Sequence, residues 1–147
     1  MRNFFIKSAR LGFSVWEPAD IELAKLLWGD PAVSKYICAA GIFTPTEIEK
    51  RLSTEVANGN TVHMQYWPIF LSSTGDLVGC CGLRPKGEDG LELGFHLRPC
   101  YWGMGLATEA GAAVIDYAKR NFPGRSIFAG HHPQNKASSH VLEKLGF

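Results

Sequence analysis

The sequence predicts a single α/β domain, residues 1–147, built on a mixed and mostly antiparallel central sheet flanked by helices. A length of 147 residues is typical of one domain with one sizeable core. Between residues 62 and 97, three apolar segments are separated by polar turns, which predicts an antiparallel meander. A helix, a strand and a second helix are predicted after it, the order expected when the chain crosses over a sheet.

The first third of the chain predicts one strand and two helices. Residues 11–16 alternate in the manner of a half-buried strand. Residues 21–27 carry apolar side chains at helical spacing. Asp30-Pro31 then ends that helix and starts a short one that runs through Tyr36.

A third helix is predicted from its start signal. Thr44 can cap the helix, Pro45 suits the first helical position, and Glu47 completes a capping box. Asn58-Gly59 is a favourable stop, so we expect the helix to end there.

The three strands of the meander are predicted at residues 62–72, 77–83 and 91–97. The next helix carries a stripe of small residues from Leu106 to Ala118, which allows close packing on a sheet, and it ends at residues 122–124. A strand at 126–130 and a helix at 135–145 complete the predicted order.

Composition excludes several classes of protein. Hydrophobic residues make up 46% and charged residues 20%, which excludes a wholly disordered chain. Fifteen basic and 14 acidic residues give a net charge of +1, so bulk charge predicts neither nucleic-acid nor membrane binding. The apolar patch near the N-terminus is too short for a secretory signal, and we expect a soluble, cytoplasmic protein.

The cysteines and histidines predict no metal site. Cys38, Cys80, Cys81 and Cys100 match no zinc-binding spacing, and the adjacent pair should point to opposite faces of a strand. His131-His132 lacks a third ligand at suitable spacing. The expected role of the cysteines is that of small core residues.

The segment from Glu92 to Ala110 is where the sequence predicts chemistry. A strand, a turn containing Gly103 and Gly105, and a helix start follow one another. Such a turn exposes backbone N–H groups at the positive end of a helix dipole, where a phosphate or pyrophosphate can bind. The pattern lacks the third glycine of a dinucleotide fingerprint and the Gly-Lys-Ser/Thr of a Walker loop. Taken alone, it could also be only a tight connection.

The segment Tyr101–Ala110 resembles the acyl-CoA-binding motif of the GNAT superfamily of N-acetyltransferases, Arg/Gln-x-x-Gly-x-Gly/Ala. Gly105 and Ala107 match this motif, whereas Trp102 departs at its first position. The run is similar to the RimJ/RimL-like branch of the family. Residues 135–147 resemble the second cofactor motif of that family, and residues 10–31 resemble the opening strand and helices of the branch.

The resemblance implies a fold and a set of acetyl-CoA contacts. The sheet would splay where residues 92–97, expected to carry a bulge, diverge from residues 126–130. The exposed backbone of Phe95, His96 and Leu97 would bind the pantetheine arm as an added strand would. Asn135, which could equally cap the last helix, and Ser138 would contact the cofactor from that helix. The pyrophosphate would lie on the loop formed by Trp102, Gly103, Met104, Gly105, Leu106, Ala107 and Thr108.

The implied reaction is direct attack of a primary amine on the thioester of acetyl-CoA. Glu92 is the first candidate for the base that removes a proton from the amine, and His96 is the second. Glu92 could instead be a solvated strand residue or pair with Arg84 or Arg98. A backbone N–H near the expected bulge would polarise the thioester carbonyl.

The C-terminal residues of the sequence bear on whether acetyl transfer is expected. The family continues with two further strands after the phrase that ends at Phe147, and a tyrosine there often protonates the leaving thiolate. We therefore expect a domain truncated at its C-terminus. Alternative interpretations are a catalytically inactive CoA-binding or interaction module, and a domain that binds another nucleotide phosphate.

The acceptor is expected to be a protein N-terminus or a small amine, with a homodimer as one possible assembly. Absence of acidic clusters disfavours a polycationic acceptor. The early helices and the hairpin would form the acceptor pocket. Candidate wall residues, each also expected as core, are Trp28, Tyr36, Phe43, Tyr66 and Trp67.

Overall fold

The computed structural model describes residues 2–130 and 136–147. In these ranges the chain forms six strands and five α-helices. In chain order they are β1 (Ile6–Lys7), β2 (Leu11–Phe13), α1 (Ile21–Trp28), α2 (Pro31–Ser34), α3 (Pro45–Thr61), β3 (Tyr66–Leu71), β4 (Leu77–Lys86), β5 (Gly90–Leu97), α4 (Leu106–Asn121), β6 (Ser126–Ala129) and α5 (Lys136–Lys144). Short 3₁₀ turns lie at Pro18–Asp20 and Pro99–Tyr101.

The six strands form one sheet in sequence order, β1-β2-β3-β4-β5-β6. Every neighbouring pair is antiparallel except β5 and β6, which are parallel and joined through α4. The prediction of a mixed, mostly antiparallel sheet flanked by helices is confirmed. Strand β1 was not predicted, because two residues are too few to show an alternating pattern.

The sheet separates two cores. Strand residues alternate between its faces, so that Cys80 lies in one core and the neighbouring Cys81 in the other, as predicted. One face is covered by α1, α2 and α3, with Trp16, Trp28, Leu27, Leu52 and Tyr66 among its buried members. The other is covered by α4, whose small-residue stripe packs through Leu106, Ala110, Val114 and Ala118. We call these the α3 face and the α4 face.

Two sequence-based expectations are wrong in detail. Helix α3 begins with the predicted capping box at Thr44, but it continues past Gly59 to Thr61. A side chain at Gly59 would meet the Gln65 amide nitrogen at 2.6 Å, so this glycine serves close packing rather than helix termination. Trp67 lies in the core of the α4 face, beside Tyr117, and so cannot line a pocket on the α3 face.

The sheet opens between β5 and β6. Residues Gly90 to Leu93 of β5 pair with Ser126 to Ala129 of β6, and the pairing stops there. The rest of β5, Gly94–Leu97, is paired only with β4 within the described part of the chain. The expected bulge is absent, because all eight residues of β5 pair with β4 without a register shift. Within the described residues, β5 and β6 therefore pair only as far as Leu93 and Ala129, while β5 continues along β4 without a bulge.

The described residues, 2–130 and 136–147, contain neither a membrane-spanning helix nor a metal-binding cluster. None of the helices in those ranges is long and apolar enough to cross a membrane. Nowhere in the same ranges do three His, Cys, Asp or Glu side chains gather in a way that could hold a metal ion. Asn135 and the His131-His132 pair lie outside the described residues.

Candidate active site

Among the described residues, the backbone of β5 beyond Leu93 has no partner strand on the β6 side. Leu83 donates its N–H to the Gln65 carbonyl on the β3 side (2.9 Å), and Arg98 donates its N–H to the Val78 carbonyl of β4 (2.8 Å). In an antiparallel ladder the direction alternates. The backbone of His96 therefore faces β4, whereas the backbone groups of Phe95 and Leu97 face the open side. These two of the three predicted positions can accept an added strand.

Trp102 lies beside this edge. Its indole N–H donates to the Leu97 carbonyl at 2.8 Å, while half of its side chain remains exposed. The Leu97 carbonyl is thus already bonded, whereas its N–H has no partner among the described residues. Trp102 differs from the family motif, and the contact gives it a local role in joining the loop to the end of β5.

The loop after Trp102 leads into α4, and no side chain caps the N-terminus of this helix. Gly103 and Gly105 have φ values of +74° and +77°, a left-handed conformation that favours glycine. Gly105 is the N-cap of α4, and no side chain caps this helix. The N–H groups of Leu106, Ala107 and Thr108 therefore begin a 16-residue helix without intrahelical acceptors. This arrangement can bind an anion through backbone donors and the helix dipole.

A polar clamp holds this loop against the β1–β2 turn. Arg10 donates to the Met104 carbonyl (2.8 Å) and pairs with Glu109 of α4 (2.7 Å). The Glu109 carboxylate also accepts hydrogen bonds from the Arg10 backbone N–H and the Ser8 hydroxyl. Burial alone would raise the pKa of Glu109, but the hydrogen bonds from Ser8 and Arg10 outweigh it and lower the pKa. The clamp therefore binds the ionised carboxylate.

Replacing Glu109 with glutamine is expected to lower the free energy of unfolding at pH 7 by about 1–3 kcal/mol, because charge-assisted hydrogen bonds are lost. A carboxylate whose pKa is lower in the folded state stabilises the protein above its unfolded pKa, near 4.5. That contribution disappears as the pH falls through the folded pKa. Denaturant unfolding at several pH values should show the difference between the two proteins shrinking as the pH falls below 4.5 and through the lower folded-state pKa.

Asp116→Asn provides the control, since Asp116 forms an exposed ion pair with Arg120 on the same helix. We expect a change of about 1 kcal/mol or less. Equal losses in the two variants would contradict a special role for the clamp.

The predicted base and its neighbours share the α3 face. Glu92, Gly94 and His96 alternate along β5 and pair with Arg84, Gly82 and Cys80 of β4. Glu92 accepts a hydrogen bond from the Tyr66 hydroxyl (3.1 Å) and lies 3.9 Å from the Lys86 ammonium. A side chain at Gly94 would meet the Tyr66 ring at 2.4 Å, so only glycine lets this ring reach Glu92.

The alternative partners predicted for Glu92 are wrong. Arg84 lies opposite Glu92 in the ladder, but its guanidinium pairs with Glu55 of α3 (3.1 Å). Arg98 donates to the Leu77 carbonyl (2.9 Å). The Glu92 carboxylate remains 38% exposed and accepts a hydrogen bond from the neutral Tyr66 hydroxyl, two residues before the half of β5 that lacks β6 partners among the described residues.

His96 is fixed and neutral. The Trp28 indole N–H donates to His96 Nδ1 (3.3 Å), so the ring proton resides on Nε2. Burial, together with the charges of Arg51 and Arg84, lowers the pKa of His96 to about 3. An imidazole with so low a pKa accepts protons poorly near neutral pH. Burial therefore makes His96 the weaker of the two candidate bases.

Comparison with known proteins identifies the family. The family model described as acetyltransferase (GNAT) domain matches residues 10–147. The chain belongs to the GNAT acetyltransferase family. An uncharacterized N-acetyltransferase of Bacillus subtilis, YnaD, is 28% identical over 142 residues, covering 96% of this chain and 81% of YnaD.

Solved structures confirm the GNAT fold. A GNAT-family acetyltransferase from Bacillus anthracis is 29% identical and superimposes with a TM-score of 0.82, covering 96% of this chain and 81% of that one. RimL, a ribosomal α-N-protein acetyltransferase solved with coenzyme A, gives a TM-score of 0.82 at 15% identity, covering 99% and 84%. At that identity the likeness to RimL shows the fold alone.

This GNAT domain also contains site features that its sequence did not reveal. Arg51, Glu55 and Arg84 meet on the α3 face next to Tyr66. The i, i+4 spacing of Arg51 and Glu55 on α3 was a usable signal for an ion pair within the helix, but Glu55 pairs across to Arg84. Ser138, the remaining predicted contact of the last helix, lies half-buried in α5.

Proposed function

We propose that this GNAT domain transfers the acetyl group of acetyl-CoA to a primary amine, either a protein N-terminus or a small amine. The observation that carries the proposal is the continuity of two binding features. The half of β5 that has no β6 partner among the described residues leads, through Trp102, directly into the uncapped N-terminus of α4. One elongated ligand with an amide-containing arm and a pyrophosphate matches this combination.

The residues present fit acetyl-CoA. The backbone N–H and C=O of Phe95 and the N–H of Leu97 can bond the amides of the pantetheine arm, as an added strand does. The backbone N–H groups of Leu106, Ala107 and Thr108 can bond the pyrophosphate. The Arg10–Glu109 clamp would keep the loop in place for that contact. Acetyl-CoA supplies an activated thioester.

Glu92 is proposed to accept the proton that the attacking amine releases, directly or through one water molecule. The amine nitrogen forms a bond to the carbonyl carbon, the C–S bond breaks, and the sulfur leaves as a thiolate that takes up a proton from solvent. A thiol with an ordinary pKa of about 8.5 can leave without a dedicated acid. The Tyr66 hydroxyl orients the Glu92 carboxylate for this role.

The test is a thiol-release assay of the purified protein with acetyl-CoA and a panel of amines, together with calorimetry of CoA binding. We expect CoA to bind, thiol to appear only when an amine is present, and mass spectrometry to find the amine 42 Da heavier, about the mass of one acetyl group less a proton. Binding of CoA without transfer to any amine, including N-terminal peptides, would leave only the inactive CoA-binding module. Failure to bind CoA would overturn the proposal altogether.

A further inference from the structure

A cluster of three charged side chains is enclosed between α3 and the sheet: Arg51, Glu55 and Arg84. Glu55 is fully buried and both of its oxygens are used. One oxygen accepts a hydrogen bond from the Tyr66 backbone N–H (3.3 Å), and the other from the Arg84 guanidinium (3.1 Å). Glu55, the carboxylate of this cluster, therefore already accepts hydrogen bonds from Tyr66 and Arg84.

Arg51 has no such partner. Its guanidinium stacks on the rings of Trp28 and Phe43, at 5.0 and 5.6 Å from their centroids. Among the described residues it forms neither an ion pair nor a hydrogen bond, and its Nε is buried without an acceptor. The Nε of Arg84 is likewise buried without an acceptor. Burial lowers the pKa of Arg51, because burial disfavours a cation, and the charge of Arg84 lowers it further, while the Glu55 charge, which forms no ion pair with Arg51, acts in the opposite direction.

This unpaired charge lies next to the reaction site. Trp28 contacts Arg51 through its ring face and His96 through its indole N–H (3.3 Å). The Arg84 guanidinium lies 4.0 Å from the centre of the Tyr66 ring, whose hydroxyl bonds Glu92. Trp28 therefore contacts both Arg51 and His96, and Tyr66 contacts both Arg84 and Glu92. His96 and Glu92 are the two candidate catalytic side chains of β5. An acceptor molecule attacking a thioester at β5 would face both cations.

We infer that the acceptor amine carries an anionic oxygen group, a carboxylate or a phosphate, which pairs with the Arg51 guanidinium. This inference rests on the proposed acetyl transfer, because it concerns the amine that accepts the acetyl group. An anion would supply the hydrogen-bond acceptor that Arg51 lacks and would neutralise the excess positive charge. A polycationic amine would be repelled by the same two arginines. The Trp28 and Phe43 rings contact the guanidinium, whose planar group of donors suits bidentate recognition of a carboxylate or phosphate.

Binding is tested first without turnover, using the arginine ¹⁵Nε–¹Hε NMR signal of Arg51, assigned by its disappearance in Arg51→Gln. The ligands are N-acetylglycine, its neutral analogue N-acetylglycinamide, and N-acetyl-O-phosphoethanolamine, each added with and without CoA. We expect at least one anion to shift the Arg51 signal and the amide to leave it in place. A shift by only one anion distinguishes carboxylate from phosphate. No shift with either anion, or an equal shift with the amide, would overturn the inference.

Turnover provides the second test, with glycine against glycinamide and O-phosphoethanolamine against ethanolamine. Arg51→Gln should lower kcat/KM for the preferred anionic amine by about tenfold or more, leave the neutral analogue unchanged, and be partly rescued by Arg51→Lys. Arg120→Gln, at an exposed position on α4, is the matched control and should change neither rate.

The two proposals fail in different ways. An anion-induced shift of the Arg51 signal with no acetylation of any amine would overturn the transferase proposal and retain the anion site. Acetylation of the neutral amines at equal or higher kcat/KM than the anionic ones would overturn the anion site and retain the transferase.

Discussion

Replacing Glu92 with glutamine is expected to lower kcat at pH 7 by about 10²- to 10⁴-fold, the usual contribution of a general base. Glutamine keeps the size of the side chain and can still accept the hydrogen bond from the Tyr66 hydroxyl. Only the basicity is removed. The affinity for CoA, measured by calorimetry, should remain that of the parent protein, because the proposed CoA contacts come from the backbone of Phe95, Leu97 and the start of α4.

The pH dependence distinguishes a base from a structural carboxylate. At high pH the amine is already neutral, so the difference in kcat between Glu92→Gln and the parent should shrink. Glu88→Gln, on the exposed turn between β4 and β5, is the matched control and should leave kcat unchanged. Full activity of Glu92→Gln at pH 7 would show that water takes the proton, since the low pKa of His96, about 3, makes that ring a poor substitute.

Replacing Gly105 with alanine is expected to weaken CoA binding by about tenfold or more, the cost of losing one hydrogen bond to a charged phosphate. The space around Gly105 is open, with the Arg10 guanidinium 3.6 Å from an added side-chain carbon. The left-handed φ of +77° is the main obstacle, because any other residue tends to move this backbone out of position. Titration calorimetry with CoA measures the effect.

Gly124→Ala is a matched control for Gly105→Ala. Gly124 has nearly the same φ, +78°, also lies in open space, and belongs to the turn at the far end of α4. Both variants should lose about 1–2 kcal/mol of unfolding free energy. Only the Gly105 variant should lose CoA affinity. A folded Gly105→Ala protein that binds CoA as tightly as Gly124→Ala would exclude this loop as the pyrophosphate site.

Local patterns in the sequence determined most of the secondary structure and the position of the glycine loop before α4, the proposed cofactor site. The capping box at Thr44 starts α3 as predicted, and the small residues from Leu106 to Ala118 form the buried stripe of α4. These signals depend on residues within a few positions of one another, so they are visible without a fold. The alternation along β5 likewise places Glu92 and His96 on one face, because its pairing with β4 is continuous.

Only the tertiary structure decided which polar and charged side chains pair with one another. Glu55 meets Arg84 across 29 positions, Trp28 meets His96 across 68, and Arg10 meets Glu109 across 99. Nothing local in the sequence links such pairs, and the predicted pairing of Glu92 with Arg84 failed because Arg84 could reach a buried carboxylate on another element. That Arg51 has neither an ion pair nor a hydrogen bond among the described residues is visible only once the pairing of its neighbours Glu55 and Arg84 is known. The reaction class could thus be inferred from local motifs, whereas the proposed preference for an anionic acceptor required the assembled fold.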